Sequence, residues 1–376
     1  MVKKLNVLVV FGTRPEVIKL APVIAELKKY PSRISCKVCV TGQHRQMIDP
    51  LLKLFKIKVD HDLDIMRPNQ NLEHITIAVL EKIGPIFDIE KTDWVIVQGD
   101  TTTAMAAGLA GFYKKIKVAH IEAGLRTWDN ENPYPEEVNR RIIDTFADVY
   151  FAHTPLAQRN LLNEGVPSSK IVVTGNTVID ALFHTARQKY VFKDAGLKVI
   201  SSEKRKIILV TAHRRENTGE PILNICKAIK HIALKYKDEV LFIYPVHLNP
   251  KISGPVHQQL GNIENVLLTK PLEYLPFVQL IKRSYFLLTD SGGLQEEAPS
   301  LGKPVLVMRK TTERPEGIKA GCVKVVGTDT KTIIKTFERL LQNKKEYEKM
   351  SRVRNPYGDG KTSQRIVQWL LKDKRR

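Results

Sequence analysis

Twelve short apolar runs, each closed by a polar turn and spaced by longer segments of mixed polarity, limit what this chain can fold into. Six lie in the first half: NVLVVFG (6–12), KVCVTG (37–42), DWVIVQGD (93–100), KVAHIEAG (117–124), DVYFAHT (148–154) and KIVVTGN (170–176). The pattern breaks at the charged stretch RQKYVFKDAGLKVISSEKRK (187–206) and then restarts. IILVTAH (207–213), VLFIYPVH (240–247), NVLLT (265–269), SYFLLTDSG (284–292), PVLVM (304–308) and VKVVG (323–327) follow. Runs that are apolar throughout, rather than alternating, suit strands buried on both faces, as in parallel sheets. The segments between them, such as PEVIKLAPVIAELKKY and DTTTAMAAGLAGFYKK, have the amphipathic spacing of covering helices. The expectation is an α/β chain of two Rossmann-like domains facing a central cleft, residues 1–180 and 181–356.

At 376 residues, 43% of them hydrophobic, the chain has material for two cores. No run approaches the roughly 18 apolar residues that span a bilayer. The start, MVKKLNVLVVFGTRPE, is charged, but its apolar run is interrupted at Asn6 and lacks a small-residue cleavage site. It reads as a first strand, and the chain as cytoplasmic. Four cysteines fit that compartment. Cys36 and Cys39 have redox or metal spacing, but they sit in ISCKVCVTG, which reads as a strand, and no second pair completes a zinc set. No metal is expected. Sixty Lys and Arg against 40 Asp and Glu leave a net charge of +20, which raises nucleic acid or a membrane surface as partners. The cations are dispersed among glutamates on helix surfaces, with no aromatic-basic motif of a nucleic-acid reader. Neither partner is expected; an anionic small substrate is.

In open α/β sheets ligands bind beyond the carboxyl ends of the strands. Here those ends read GTRPE, TGQH, QGDT, HIEAG, TAHRREN, YPVHLNP and TDSGG, so the polar signatures collect where a site belongs. Ser291-Gly292-Gly293 joins a strand to a helix, and glycines there let backbone N–H groups approach a phosphate at the helix N-terminus. Glu297, one turn on, has the place of an acid that takes a ribose diol. No G-x-G-x-x-G or P-loop pattern is present, so a bound nucleotide is expected as substrate, with no nicotinamide cofactor. Arg14 and Lys19, five residues apart at the first strand-to-helix junction, can reach one anion, and Arg314 in TTERPEG can clamp phosphate or a neighbouring acid. Asp100, Glu122, Glu136 and Glu137, with His213, supply carboxylates and an imidazole for proton removal and return at one carbon. A glycosidase also needs two acids, so the set alone does not choose. His44, His120 and His247 stand singly at strand ends, where a histidine is more often structural than catalytic.

Taken together and in order, FGTRPE, TGQH, QGDT, HIEAGLRT, PEEVNRR, GNTVID, TAHRREN, DSGGLQEEAPSLGKPVLVMR and TTERPEG resemble the non-hydrolysing UDP-N-acetylglucosamine 2-epimerases over almost the whole chain, down to MSRVRNPYGDGKTSQRI. The resemblance implies a glycosyltransferase-B type fold in which the C-terminal segment, 357–376, packs back on the first domain. It implies reversible conversion of UDP-GlcNAc to UDP-ManNAc without a cofactor, by elimination of UDP, a glycal intermediate and re-addition. It places Asp100, Glu122, Glu136, Arg140 and His213 at the catalytic centre, and Arg14, Lys19, Phe277, Ser291, Gly292, Gly293, Glu297 and Arg314 on UDP. Gln43, Gln46, Arg214 and His247 fall on motifs that contact a second, activating UDP-GlcNAc in bacterial relatives. MRPNQN (66–71) departs from the family's version of that site, and Leu272 stands where a glutamine often lies near the uracil. The resemblance also implies a homodimer. Two rivals share the motif set or the fold: a UDP-sugar-dependent glycosyltransferase, and a hydrolysing epimerase releasing free ManNAc and UDP.

Overall fold

The apolar runs form strands that pair in parallel, the central ones buried on both faces and the edge ones partly exposed. The computed structural model describes residues 4–42, 45–67, 70–192 and 196–372. The chain divides into two compact units, Met1–Ala181 with Tyr357–Arg376, and Leu182–Pro356. In the first unit the strands are β1 (Leu5–Phe11), β2 (Ile34–Val40), β3 (His61–Asp62), β4 (Trp94–Gln98), β5 (Lys117–Ala123), β6 (Val149–Ala152) and β7 (Ile171–Val173). Among the described residues they form one sheet in the order β3-β2-β1-β4-β5-β6-β7. The second unit holds β8 (Lys206–Thr211), β9 (Val240–Pro245), β10 (Val266–Thr269), β11 (Phe286–Thr289), β12 (Val305–Val307) and β13 (Val323–Val325), in the order β10-β9-β8-β11-β12-β13.

The second sheet shows why its strands are apolar throughout. Ile208, Val210, Phe242, Leu288 and Leu306 pack into a cluster on one face, while Ile207, Leu209, Ile243, Leu287 and Val305 pack into another on the opposite face. A period of two therefore serves both covering layers. β3 escaped the sequence reading because two residues make no apolar run; it is an edge strand held by pairing of Cys39 with His61 and Val40 with Asp62. All four cysteines, Cys36, Cys39, Cys226 and Cys322, are unpaired, and burial pushes the thiols of Cys36, Cys39 and Cys226 up to about 12 and that of Cys322 to about 11.

Strand order reverses between β1 and β4 in one sheet and between β8 and β11 in the other. At such a switch the loops leaving neighbouring strands run in opposite directions and open a crevice. The pairing of Val9 with Ile96, and of Thr289 with Thr211, brings the ends of the two switch strands level in each sheet. Gly12 and Gly99 thus leave the first sheet side by side, and Ala212 and Asp290 the second.

The chain's last helix, Thr362–Lys372, belongs to the first unit. Asp180 receives it, accepting from the Ser363 backbone N–H at 2.8 Å, the Ser363 hydroxyl at 2.5 Å and the Thr362 N–H at 3.2 Å. Gly175 makes room for the approach: at φ +92° it takes a backbone shape that favours glycine, and a Cβ there would meet Thr362 Oγ1 at 2.8 Å. Trp369 then sits edge-on to Trp94 at 5.9 Å and to Phe151 at 5.6 Å. Replacing a packed aromatic by alanine forfeits its contacts and leaves a cavity. Trp369→Ala is expected to destabilise the first unit by about 2–4 kcal/mol, read as a lower midpoint of its thermal transition; an unchanged midpoint would show that this seam holds nothing.

Candidate active site

In the first unit the loops after β1, β4 and β5, neighbours in the sheet, are tied together by carboxylates. Glu16, in the helix Arg14–Leu27, turns back over its own N-terminus and accepts from the N–H groups of Gly12 at 3.0 Å and Thr13 at 2.8 Å and from the Thr13 hydroxyl at 2.8 Å. Its other oxygen accepts from the Thr101 hydroxyl at 2.7 Å, which fastens the loop after β1 to the loop after β4. Burial pushes the Glu16 carboxyl above its ordinary value, with the four hydrogen bonds pulling it back. Glu16 was not singled out from the sequence, although Thr-x-x-Glu at a helix start is a capping-box signature.

Glu122 lies one residue before the end of β5 in the left-handed region, at φ +69°, where pairing with β6 shifts register. A non-glycine residue held there costs about 1–2 kcal/mol, so the surroundings must hold it. They do: Oε2 accepts from Lys19 Nζ at 2.5 Å and from Gln98 Nε2 at 2.6 Å. Lys19 and Glu122 are 103 residues apart in sequence, and their side chains are 18% and 5% exposed. The cation expected to bind an anion beside Arg14 therefore first clamps a carboxylate. Arg14 itself is half-buried in the first turn of its helix.

Asp100 follows β4 and is engaged by Arg140, whose Nε donates to Oδ2 at 3.0 Å and whose Nη2 donates to the same oxygen. The third guanidinium nitrogen, Nη1, donates to buried Glu137 at 2.8 Å. Glu137 also accepts from the N–H groups of Thr127 at 3.0 Å and Trp128 at 3.1 Å, so this acid is structural. Its neighbour Glu136 is different: half-buried in the first turn of the helix Glu136–Phe146, it has an Oε2 that is buried and accepts no hydrogen bond among the described residues. His120, read as structural, is wholly buried between Asp144 Oδ1 at 2.6 Å and the Gly99 carbonyl at 2.7 Å. Asp144 also takes Arg126 at 2.6 Å and the Gly124 N–H at 3.2 Å, bracing the loops that carry Asp100 and Glu122. Burial works against the Asp144 carboxylate, but His120 and Arg126 outweigh it and hold its proton affinity below the ordinary value.

The second unit builds its site on the turn Ser291-Gly292-Gly293, from which the helix Gly292–Ser300 starts. A Cβ on Gly292 would lie 3.5 Å from Arg214 Nη2 and 3.9 Å from the Arg314 guanidinium, so two cations face this helix N-terminus. Arg214 Nε is buried and has no hydrogen-bond partner among the described residues. Arg314 is anchored by Glu296, and Glu313 lies 3.6 Å from it. The Glu313 carboxyl is pulled below its ordinary value against its burial, chiefly by Arg314, then Arg309 and Arg214. Glu296 thus positions a guanidinium, while Glu297 accepts from the Tyr274 hydroxyl at 3.0 Å. Phe277, in the helix Tyr274–Arg283, and Leu272 are partly buried against the same apolar cluster. His213 follows β8 with its ring stacked on His247 at 5.9 Å. Gln43 and His44 lie outside the described residues, as do Pro68 and Asn69 of MRPNQN and the side chain of Gln46.

The Glu122 backbone supplies a test. Glu122→Gly and Glu122→Ala remove the same carboxylate, but only glycine relieves the left-handed backbone. Glycine is expected to be the more stable variant by about 1 kcal/mol, the reverse of its usual order in a strand; denaturant titration of both variants decides it, and a more stable alanine variant would sink the assignment.

The chain is similar to known proteins over nearly its whole length. Residues 25–371 match the family model described as UDP-N-acetylglucosamine 2-epimerase. A UDP-N-acetylglucosamine 2-epimerase of Neisseria meningitidis is 50% identical over 98% of this chain and 100% of that protein, and one of Bacillus subtilis is 51% identical over 98% and 96%. The crystal structure of the UDP-GlcNAc 2-epimerase from Neisseria meningitidis bound to UDP-GlcNAc superposes with a TM-score of 0.90 at 50% identity, covering 98% of this chain and 100% of that one. The fold is of the glycosyltransferase-B type, and the chain belongs to the UDP-N-acetylglucosamine 2-epimerase family.

Proposed function

We propose that this chain, as a member of that family, inverts C2 of the sugar in UDP-N-acetylglucosamine to give UDP-N-acetylmannosamine, reversibly and without releasing UDP. The observation that carries the reading is the strained, clamped Glu122 beside a second strand-end carboxylate, Asp100, each held by a cation. The proton on C2 has no carbonyl next to it, so it becomes removable only as positive charge builds at C1. Breaking the C1–O bond sends its electron pair to UDP, and a carboxylate then takes the C2 proton, leaving a glycal. A second acid then delivers a proton to the opposite face of C2 while the UDP oxygen attacks C1, which gives the epimer. The base loses its proton to water and the acid regains one, so both groups are restored and solvent hydrogen enters C2.

In this reading Asp100, Glu122, Glu136 and His213 carry proton chemistry, and Arg140 fixes Asp100. Ser291, Gly292 and Gly293 present backbone N–H groups to the diphosphate, with Arg314 and Arg14 offsetting the charge of the leaving group. Glu297 takes the ribose and Phe277 lines the base. Lys19 acts through Glu122 as well as by its charge. Arg214 and His247, with Gln43 and Gln46, take a second UDP-GlcNAc as activator, which a sigmoidal dependence of rate on substrate concentration would reveal. The chain works in the cytoplasm, a reading supported by its four unpaired thiols. No described helix is long and apolar enough to cross a membrane.

The chain pairs with a second copy of itself. Support comes from Phe112, Tyr113, Val138 and Ile142, large apolar side chains exposed on the helices Thr102–Tyr113 and Glu136–Phe146. Sedimentation should give a dimer, and Phe112→Glu with Tyr113→Glu a monomer.

Catalysis is tested with UDP-GlcNAc as sole substrate in deuterated water, followed by proton NMR. UDP-ManNAc carrying deuterium at C2 is expected, with conversion lowered about 1,000-fold or more in Glu122→Gln, since general-base catalysis alone contributes roughly 10²–10⁴. Free ManNAc and UDP would instead mark a hydrolysing enzyme, and no turnover a glycosyltransferase lacking its acceptor.

A further inference from the structure

Asp290 is the last residue before the Ser-Gly-Gly turn and is wholly buried. Its Oδ2 is saturated: it accepts from the N–H groups of His213 at 2.7 Å and Arg214 at 2.8 Å, and from Asn217 Nδ2 at 2.9 Å. Its Oδ1 is buried and accepts no hydrogen bond among the described residues, yet lies 3.2 Å from Nδ1 of the His213 ring. A buried carboxylate oxygen without a donor is costly, and the imidazole, 38% exposed in its side chain, is the partner free to turn toward it. Hydrogen bonds of this kind are often long or misaligned without substrate and tighten in the complex.

We propose that Asp290 is a positioning residue that fixes the His213 ring with its proton on Nδ1, leaving the Nε2 lone pair outward for the proton traffic of the reaction. The proposal rests on the catalytic role assigned above to His213 and specifies how that role is set. Oδ2 holds the peptide N–H groups on either side of the His213 Cα, so the ring is held at its root and at one nitrogen by the same carboxylate. The charged and titratable groups acting on the ring are Asp290 from the end of β11, Arg214 on its own loop, and His247 after β9. Burial lowers the imidazole's proton affinity, Arg214 and His247 push the same way, and Asp290 alone opposes them.

Asp290→Asn separates geometry from chemistry. The amide oxygen can keep the three N–H donors of Oδ2, which turns the amide nitrogen, a donor, toward Nδ1 of His213. The ring must then accept at Nδ1 and carry its proton on Nε2. The kcat of epimerisation should fall about 100-fold, within the range that general acid–base catalysis supplies, while KM and the affinity for UDP alone stay within about threefold. The limb of the pH–rate profile that belongs to His213 should move to lower pH, because the one group raising its proton affinity has lost its charge.

A second measurement needs no folded Asp290 variant. In wild-type protein labelled with ¹⁵N-histidine, with the His213 signals assigned by their loss in His213→Asn, the neutral ring should be the Nδ1–H tautomer. An Nε2–H tautomer in the wild type overturns the proposal. So does an Asp290→Asn enzyme with wild-type kcat and pH profile when His213→Asn is impaired, and in that case the role of His213 itself stands. A His213→Asn enzyme with wild-type turnover removes that role, and the proposal with it.

Discussion

Among the described residues seven strands in one unit and six in the other run parallel, so every strand in a sheet delivers its carboxyl end to the same edge. Helices must cover both faces of such sheets, which leaves that edge as the place where polar groups can converge without disturbing a core. The chemistry of this protein depends on that constraint. Glu122, Asp100 and the Gly12–Thr13 loop meet because β1, β4 and β5 are neighbours in the first sheet. His213, Asp290 and the glycine turn meet because β8 and β11 are neighbours in the second.

Collecting acids at one edge creates a problem of like charges, and the structure answers it acid by acid. Asp100 is given Arg140, Glu122 is given Lys19, Glu296 is given Arg314, and Asp144 is given both His120 and Arg126. Glu16, without a cation, is held by hydroxyl and amide donors, and burial lifts its proton affinity. The acids therefore fall into two groups. Glu16, Glu137 and Asp144 have both oxygens committed to protein donors and, with Glu296, which holds Arg314, shape the loops. Asp100 and Glu136 retain an oxygen without such a commitment among the described residues, Glu122 is held in a strained backbone, and these three are the ones the proposed mechanism uses. A +20 chain that keeps carboxylates at its strand ends is arranged for proton transfer near an anion rather than for anion binding alone.

The fold was legible because parallel strands leave a strong trace: short apolar runs ending in polar motifs. β3 left none, being two residues at an edge. The site was legible as motifs but not as pairs. Lys19 is an obvious cation at a strand-to-helix junction, yet nothing local shows that it reaches a carboxylate 103 residues later. The left-handed backbone of Glu122 is equally silent, since glutamate is a poor candidate for that shape and only the nearby Gly124 hints at a turn. Glu16 had a readable signature that was passed over. Asp290 was visible as the end of a strand, but a carboxylate aimed at a histidine ring 77 residues earlier emerges only once β8 and β11 pair.

The central claim is that the bond between C1 and UDP breaks and re-forms while both parts stay bound. Positional isotope exchange tests it most directly: UDP-GlcNAc carrying ¹⁸O in the oxygen that bridges C1 and the β-phosphorus, incubated with the enzyme and followed by ³¹P NMR. Cleavage frees that oxygen to exchange places with the other β-phosphate oxygens before return, so the label should spread into non-bridging positions in both sugar nucleotides. A label that stays in the bridge while UDP-ManNAc accumulates would mean that C2 inverts with the C1–O bond intact, and would contradict the account.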